Sequence, residues 1–196
     1  MNSDKLGEIQ MTTRTAGTSP LLYARVAGFT FLFYIAAGIT GLALAGRTNV
    51  TDVLSLLTSF SALVLGVTLY MITREQGPAL AMLALTCRVL EAVSGEAAIF
   101  FAVGSTLFSW LLLRGRLIPA PLAWLGVLAS VLLVVVLPLQ LAGLFGGPMS
   151  WSASITWLVW LPMLVFEVVL ALWLLIKGVA VPAARSVASS RADQPL

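Results

Sequence analysis

Residues 79–113 read ALAMLALTCRVLEAVSGEAAIFFAVGSTLFSWLLL, an almost unbroken apolar run. At 1.5 Å per residue one straight helix over this stretch would be about 50 Å long, against a hydrocarbon core of about 30 Å. A single crossing overshoots badly. Ser94-Gly95-Glu96 is the only polar, flexible break inside the run. Splitting there gives two helices that turn back on each other, the first of them short.

The rest of the chain repeats the pattern. Leu21 to Ala45 is apolar and is closed by Gly46 and Arg47. Val53 to Ile72 follows, closed by Arg74, Glu75 and the breaker pair Gly77-Pro78. Leu122 to Phe145 comes after Arg114, Arg116, Pro119 and Pro121. Ala153 to Ile176 comes after Gly146-Gly147-Pro148 and ends at Lys177-Gly178. The expectation is an all-α fold, an integral membrane bundle of six transmembrane helices over residues 21–178. Residues 1–20 are polar and read as a flexible cytoplasmic tail. The first apolar run is too long for the 7–15 residue core of a secretory signal. Residues 179–196 read as a disordered cytoplasmic tail.

Composition agrees. Of 196 residues, 60% are hydrophobic and 10% charged, with a mean hydropathy of +1.03. A soluble domain carries about 25% charged residues, so lipid must coat this surface. The formal net charge of +3 sits at segment ends, which marks membrane orientation rather than nucleic-acid binding. With six crossings and the amino end inside, Lys5, Arg14, Arg74, Arg114, Arg116, Lys177, Arg185 and Arg191 are cytoplasmic and Arg25 lies at the inner end of the first helix. Only Arg47 falls outside. The excess of inner positive charge places both termini in the cytoplasm of a multi-pass plasma-membrane protein.

Several function classes drop out. Histidine is absent, so the commonest general base and metal ligand is missing. The single cysteine, Cys87, allows no intrachain disulfide and no multi-cysteine zinc site. No nucleophile–base pair, metal-ligand set or phosphate loop is visible. The sequence predicts no enzyme, no metal and no cofactor.

What remains is charge in oil. Arg88 and Glu91 lie in the third helix and Glu167 in the sixth. A charge at mid-bilayer costs roughly 2.5–3.5 kcal/mol on insertion scales, so it needs a partner or a water-filled cavity. Arg88 and Glu167 both fall roughly 15 Å from the cytoplasmic end, and Glu91 shares a helix face with Arg88. The spacing predicts a compact cluster in which Arg88 and Glu167 face the interior and approach each other. Two readings follow. In one the cluster is an interhelical staple of a non-catalytic protein; this is preferred, because Arg88 has two acids in reach. In the other it is the polar site of a small transporter or membrane-embedded ligand-binding protein, whose ligand the sequence leaves unidentified.

Other positions are secondary. Arg25 and Gln140 are further polar candidates, Gln140 as an interhelical hydrogen-bond donor. Glu96 reads as a solvated loop acid. Pro138 and Pro162 fall inside helices. Ala37, Gly41 and Ala45 form a small-residue seam, as do Ala24 and Gly28; packing within the monomer is favoured over a homo-oligomer contact. Trp110, Trp124, Trp151 and Trp157 fit interfacial belts, and Trp160 and Trp173 read as lipid-facing or core residues. Asn49 or Thr51 is expected to cap the second helix.

Four motifs carry a resemblance. Ala24-Arg25-Val26-Ala27-Gly28 is similar to a family's opening motif, and Arg88-Val89-Leu90-Glu91-Ala92 to its third-helix motif. Arg114 through Pro119 leading to Leu125-Gly126-Val127-Leu128 resembles its fourth-to-fifth turn. Phe166-Glu167-Val168 through Trp173 to Lys177-Gly178 resembles its last helix. The family is domain of unknown function 4386, uncharacterised bacterial polytopic membrane proteins. The resemblance implies a membrane bundle, puts Arg25, Arg88, Glu91 and Glu167 at motif positions, and implies no activity.

Overall fold

The computed structural model describes residues 19–44, 46–94, 97–144 and 154–180. Among them are six α-helices and no strand: α1 Ser19–Ala43, α2 Thr48–Thr73, α3 Pro78–Val93, α4 Ala97–Arg114, α5 Ala120–Leu141 and α6 Ser154–Ile176. A single 3-10 turn, Arg74–Gln76, links α2 to α3. Five of the six are long and apolar enough to cross a membrane. The exception is α3, at 16 residues. The long apolar run breaks after Val93, as its Ser94-Gly95-Glu96 punctuation predicts; Gly95 and Glu96 themselves lie outside the described residues.

Local chemistry sets the ends. Pro78 opens α3, where its missing N–H is no loss, and Pro119 and Pro121 flank the start of α5 in the same way. Gly143 takes a φ of +87° and stops α5 at Leu141, short of the expected Phe145. Only a residue without a Cβ enters that region cheaply. Two end expectations fail. The second helix starts at Thr48, not Val53, with Arg47 before it and no side-chain cap; Thr51 instead donates to the Arg47 carbonyl at 3.0 Å. The chain past α6 is also placed further than expected. Val179 is buried and the Ala180 N–H donates to the Leu117 carbonyl at 2.9 Å. Residues 1–18, 181–196, Ala45 and Trp151 lie outside the described residues.

The helices form a closed ring. Each packs on its sequence neighbours and α6 returns to α1. The core joins Ala24, Ala27 and Phe31 of α1 to Leu65 and Leu69 of α2, Phe108 and Leu112 of α4, Leu133 of α5, and Met163, Phe166 and Leu170 of α6. Outward faces carry Leu56, Phe60, Leu128, Leu158 and Ile176, all well exposed. Water does not tolerate so continuous an apolar surface, and a bilayer does.

Between helices in lipid the drive is close packing rather than water release, so small residues matter. A Cβ on Gly28 would stand 2.6 Å from the Ala171 carbonyl oxygen, so α1 and α6 touch backbone to backbone there. The Ala24/Gly28 stripe therefore serves α6. Ala37 is buried, and Gly41 faces Leu54 of α2. The α2–α3 turn meets the end of α4, where a Cβ on Gly115 would be 2.7 Å from the Gln76 side chain. So α3 starts where α4 stops, and the two run antiparallel.

Candidate functional site

The charged residues of α3 are buried as the cost of charge in oil demands. Arg88 is 1% exposed and Glu91 7%. Three positions apart on one helix face, they form an ion pair with Nη1 to Oε2 at 2.8 Å. The Arg88 stem fits because its neighbours are small: a Cβ on Gly66 of α2 would lie 2.9 Å from the Arg88 Cβ, and Gly104 of α4 sits against Cys87. Arg88 Nη2 donates to Ser105 Oγ of α4 at 3.1 Å, and its guanidinium carbon lies 4.8 Å from the Phe101 ring centroid. Phe101 in turn stacks on Trp160 of α6, with centroids 5.5 Å apart. The other oxygen of Glu91 accepts from the Tyr34 hydroxyl of α1 at 2.9 Å. The network thus ties α3 to α1 and α4 by hydrogen bonds, and reaches α6 through rings.

Glu167 stands differently. It is 5% exposed and faces the interior, as expected, but no ion pair joins it to Arg88 among the described residues. Its Oε1 is buried with no hydrogen-bond partner. The approach of Arg88 and Glu167 expected from the sequence is not a direct ion pair. Arg88 is taken by the nearer acid on its own helix, because an i,i+3 carboxylate needs no second backbone to approach. The staple therefore does not run from the third helix to the sixth as an ion pair.

A chamber explains what Glu167 faces. A cavity of about 550 Å³ lies between α1, α4 and α6, walled by Tyr34, Phe101, Trp157, Trp160 and Leu164, with Glu91 and Glu167 on its surface. A second, of about 350 Å³, lies between α1 and α2 and is lined by Thr51, Ser55, Thr58 and Ser59. The two share Tyr34, Gly38, Gly41, Thr58, Glu91 and Ala97, so they are lobes of one space. Both sit at the end of the bundle where α1 stops and α2, α4 and α6 begin, away from Arg114 and Lys177. The apolar lobe reaches exposed Ile39 and Leu161 on the outer faces of α1 and α6; the polar lobe reaches exposed Ser55.

The secondary candidates lie elsewhere. Arg25 is exposed near the start of α1, a half-helix from Tyr34, and Gln140 is buried in α5; neither lines the chamber. Cys87 is a buried free thiol. No group of three or more metal-ligating side chains occurs among the described residues. Tyr34, Ser105, Phe101 and Trp160 are the participants that sequence reasoning missed. One signal was available: Trp157, Trp160, Leu164 and Glu167 recur at three- and four-residue spacing and share one face of α6.

Residues 93–178 match the family model for a domain of unknown function, DUF4386. It is the family that the motifs resemble. The matched stretch holds Phe101, Ser105, Trp160 and Glu167, and starts just after Arg88 and Glu91. No curated protein and no solved structure matches the chain.

Proposed function

We propose that this is a non-catalytic plasma-membrane protein that binds a small molecule in the two-lobed chamber, with Glu167 as the polar anchor. The observation that carries this is the Glu167 side chain, 5% exposed, on the wall of a cavity of about 550 Å³, with its buried Oε1 lacking a hydrogen-bond partner. A buried acceptor left unmade costs about 1–3 kcal/mol, more when charged. Such a group is retained where something outside the chain completes it. Drug-sized ligands occupy pockets of roughly 300–1,000 Å³ lined by apolar and aromatic side chains with a few polar groups. The chamber has that character.

The staple reading keeps part of its ground. Tyr34–Glu91 and Arg88–Ser105 join α1, α3 and α4. Labour is divided: Arg88 and Glu91 hold the frame, and Glu167 meets the ligand. In the bilayer the chain crosses six times with both ends cytoplasmic, so the chamber lies in the outer half. The antiparallel course of α3 beside α4 supports a crossing by this short helix, and the inner placement of basic residues supports the orientation.

An experimental structure of the full chain in lipid nanodiscs tests the proposal. Non-protein density within hydrogen-bond reach of the Glu167 carboxyl group is expected. A collapsed chamber in which Glu167 is bonded to a protein donor contradicts it.

A further inference from the structure

The chamber carries acids and no base. Glu91 and Glu167 lie on its surface, and none of its lining residues is lysine or arginine. The charge of Glu91 is already answered, since Arg88 donates to one oxygen and Tyr34 to the other. Arg88 in turn gives Nη1 to Glu91 and Nη2 to Ser105, and its buried Nε has no hydrogen-bond partner. One acid, Glu167, is left without an ion-pair partner among the described residues. Its Oε1 further lacks a hydrogen bond.

We infer that the occupant is a hydrophobic amine, a monovalent organic cation with at least one N–H to give Glu167 and an aromatic or branched apolar body. The inference rests on the chamber being a binding site and adds the ligand's chemistry. Each part answers one feature. The single unanswered carboxylate sets the charge at one. A carboxyl group on the wall asks for an N–H rather than a fully substituted nitrogen. A bare metal ion is poorly served, because no set of three ligating side chains surrounds the site among the described residues and the lining is mostly apolar. Trp157, Trp160, Ile35, Ile39 and Leu164 give the body its surface, and indole faces favour a nearby cation. The two lobes suit an amphiphile: the apolar one opens between α1 and α6 toward lipid, and the polar one opens along the hydroxyls of α2.

The test is isothermal titration calorimetry of the full chain in nanodiscs, with empty nanodiscs subtracted. Three probes share one ring: 1-naphthylmethylamine, 1-naphthalenemethanol and 1-naphthylacetate. Wild type is expected to bind the amine at least about tenfold tighter than the alcohol, with no saturable binding of the acetate, the usual order for a charge-assisted over a neutral hydrogen bond. Glu167→Gln should bring the amine down to the alcohol's affinity and leave the alcohol unchanged. If wild type binds the alcohol or the acetate as tightly as the amine, the amine class is wrong while the chamber stands. If none of the three binds, the chamber reading falls and the inference with it. An amine preference that survives Glu167→Gln overturns the anchor. The ranking in wild type is decisive even if the variant misfolds.

Discussion

Tyr34 reaches across 57 positions of sequence to donate to Glu91 at 2.9 Å, on the oxygen that Arg88 leaves free. A carboxylate on the shortest helix is thereby pinned from α1 on one side and from its own helix on the other. Tyr34→Phe keeps the ring and removes the donor. The expected loss is about 1–3 kcal/mol, since a buried acceptor loses its partner. Reversible unfolding in mixed micelles measures it. A variant as stable as wild type would show that this bond holds nothing.

Arg88 is the largest fully buried side chain of the chain's described part. Arg88→Met removes the cation paired with Glu91 and leaves Tyr34 as its hydrogen-bond donor, and should cost about 3–5 kcal/mol. The pair Arg88→Met with Glu91→Gln removes both charges and should recover much of that loss. The double-mutant cycle reads the coupling directly. Additive effects would mean that the 2.8 Å contact carries no coupling.

Glycines with and without room differ sharply. Gly28 lies against the α6 backbone, whereas a Cβ on Gly38 meets nothing within 4 Å. Gly28→Val should destabilise by about 1–3 kcal/mol through overpacking, and Gly38→Ala should shift the melting temperature little. Equal effects would contradict the close α1–α6 contact.

Much of the fold was legible because lipid simplifies the problem. Helices were set by apolar length, and the α3–α4 break by the polar triplet after Val93. The burial of Arg88, Glu91 and Glu167 followed from the cost of solvating charge in hydrocarbon. The pairing did not follow. Equal depth of Arg88 and Glu167 fixes position along the axis and says nothing about azimuth, and the competing acid one turn from Arg88 took the guanidinium. Tyr34, Ser105 and Trp160 were hidden because helices apolar all round show no polar stripe that points inward. The chamber was hidden for the same reason: an empty space between helices leaves no residue pattern except the face shared by Trp157, Trp160, Leu164 and Glu167.

Topology has its own check. Reporter fusions after Lys177 and at Gly147 should give opposite sidedness, with Lys177 cytoplasmic. The same side for both would mean that α6 does not cross, and Lys177 on the outside would mean that the inner placement of basic residues misleads here.

Thiol labelling shows whether the chamber beside Glu167 is open to a solute from water. Gly38 lines both lobes and has space for a side chain, and Leu128 projects from the outer face of α5. In a Cys87→Ala background, Gly38→Cys and Leu128→Cys are exposed in intact cells to a membrane-impermeant maleimide. Thiols react as thiolates, so a cysteine in lipid stays silent and one in a wet chamber does not. Rapid labelling of Gly38→Cys and none of Leu128→Cys is expected, with both reacting fully after denaturation. Gly38→Cys as silent as Leu128→Cys would contradict it.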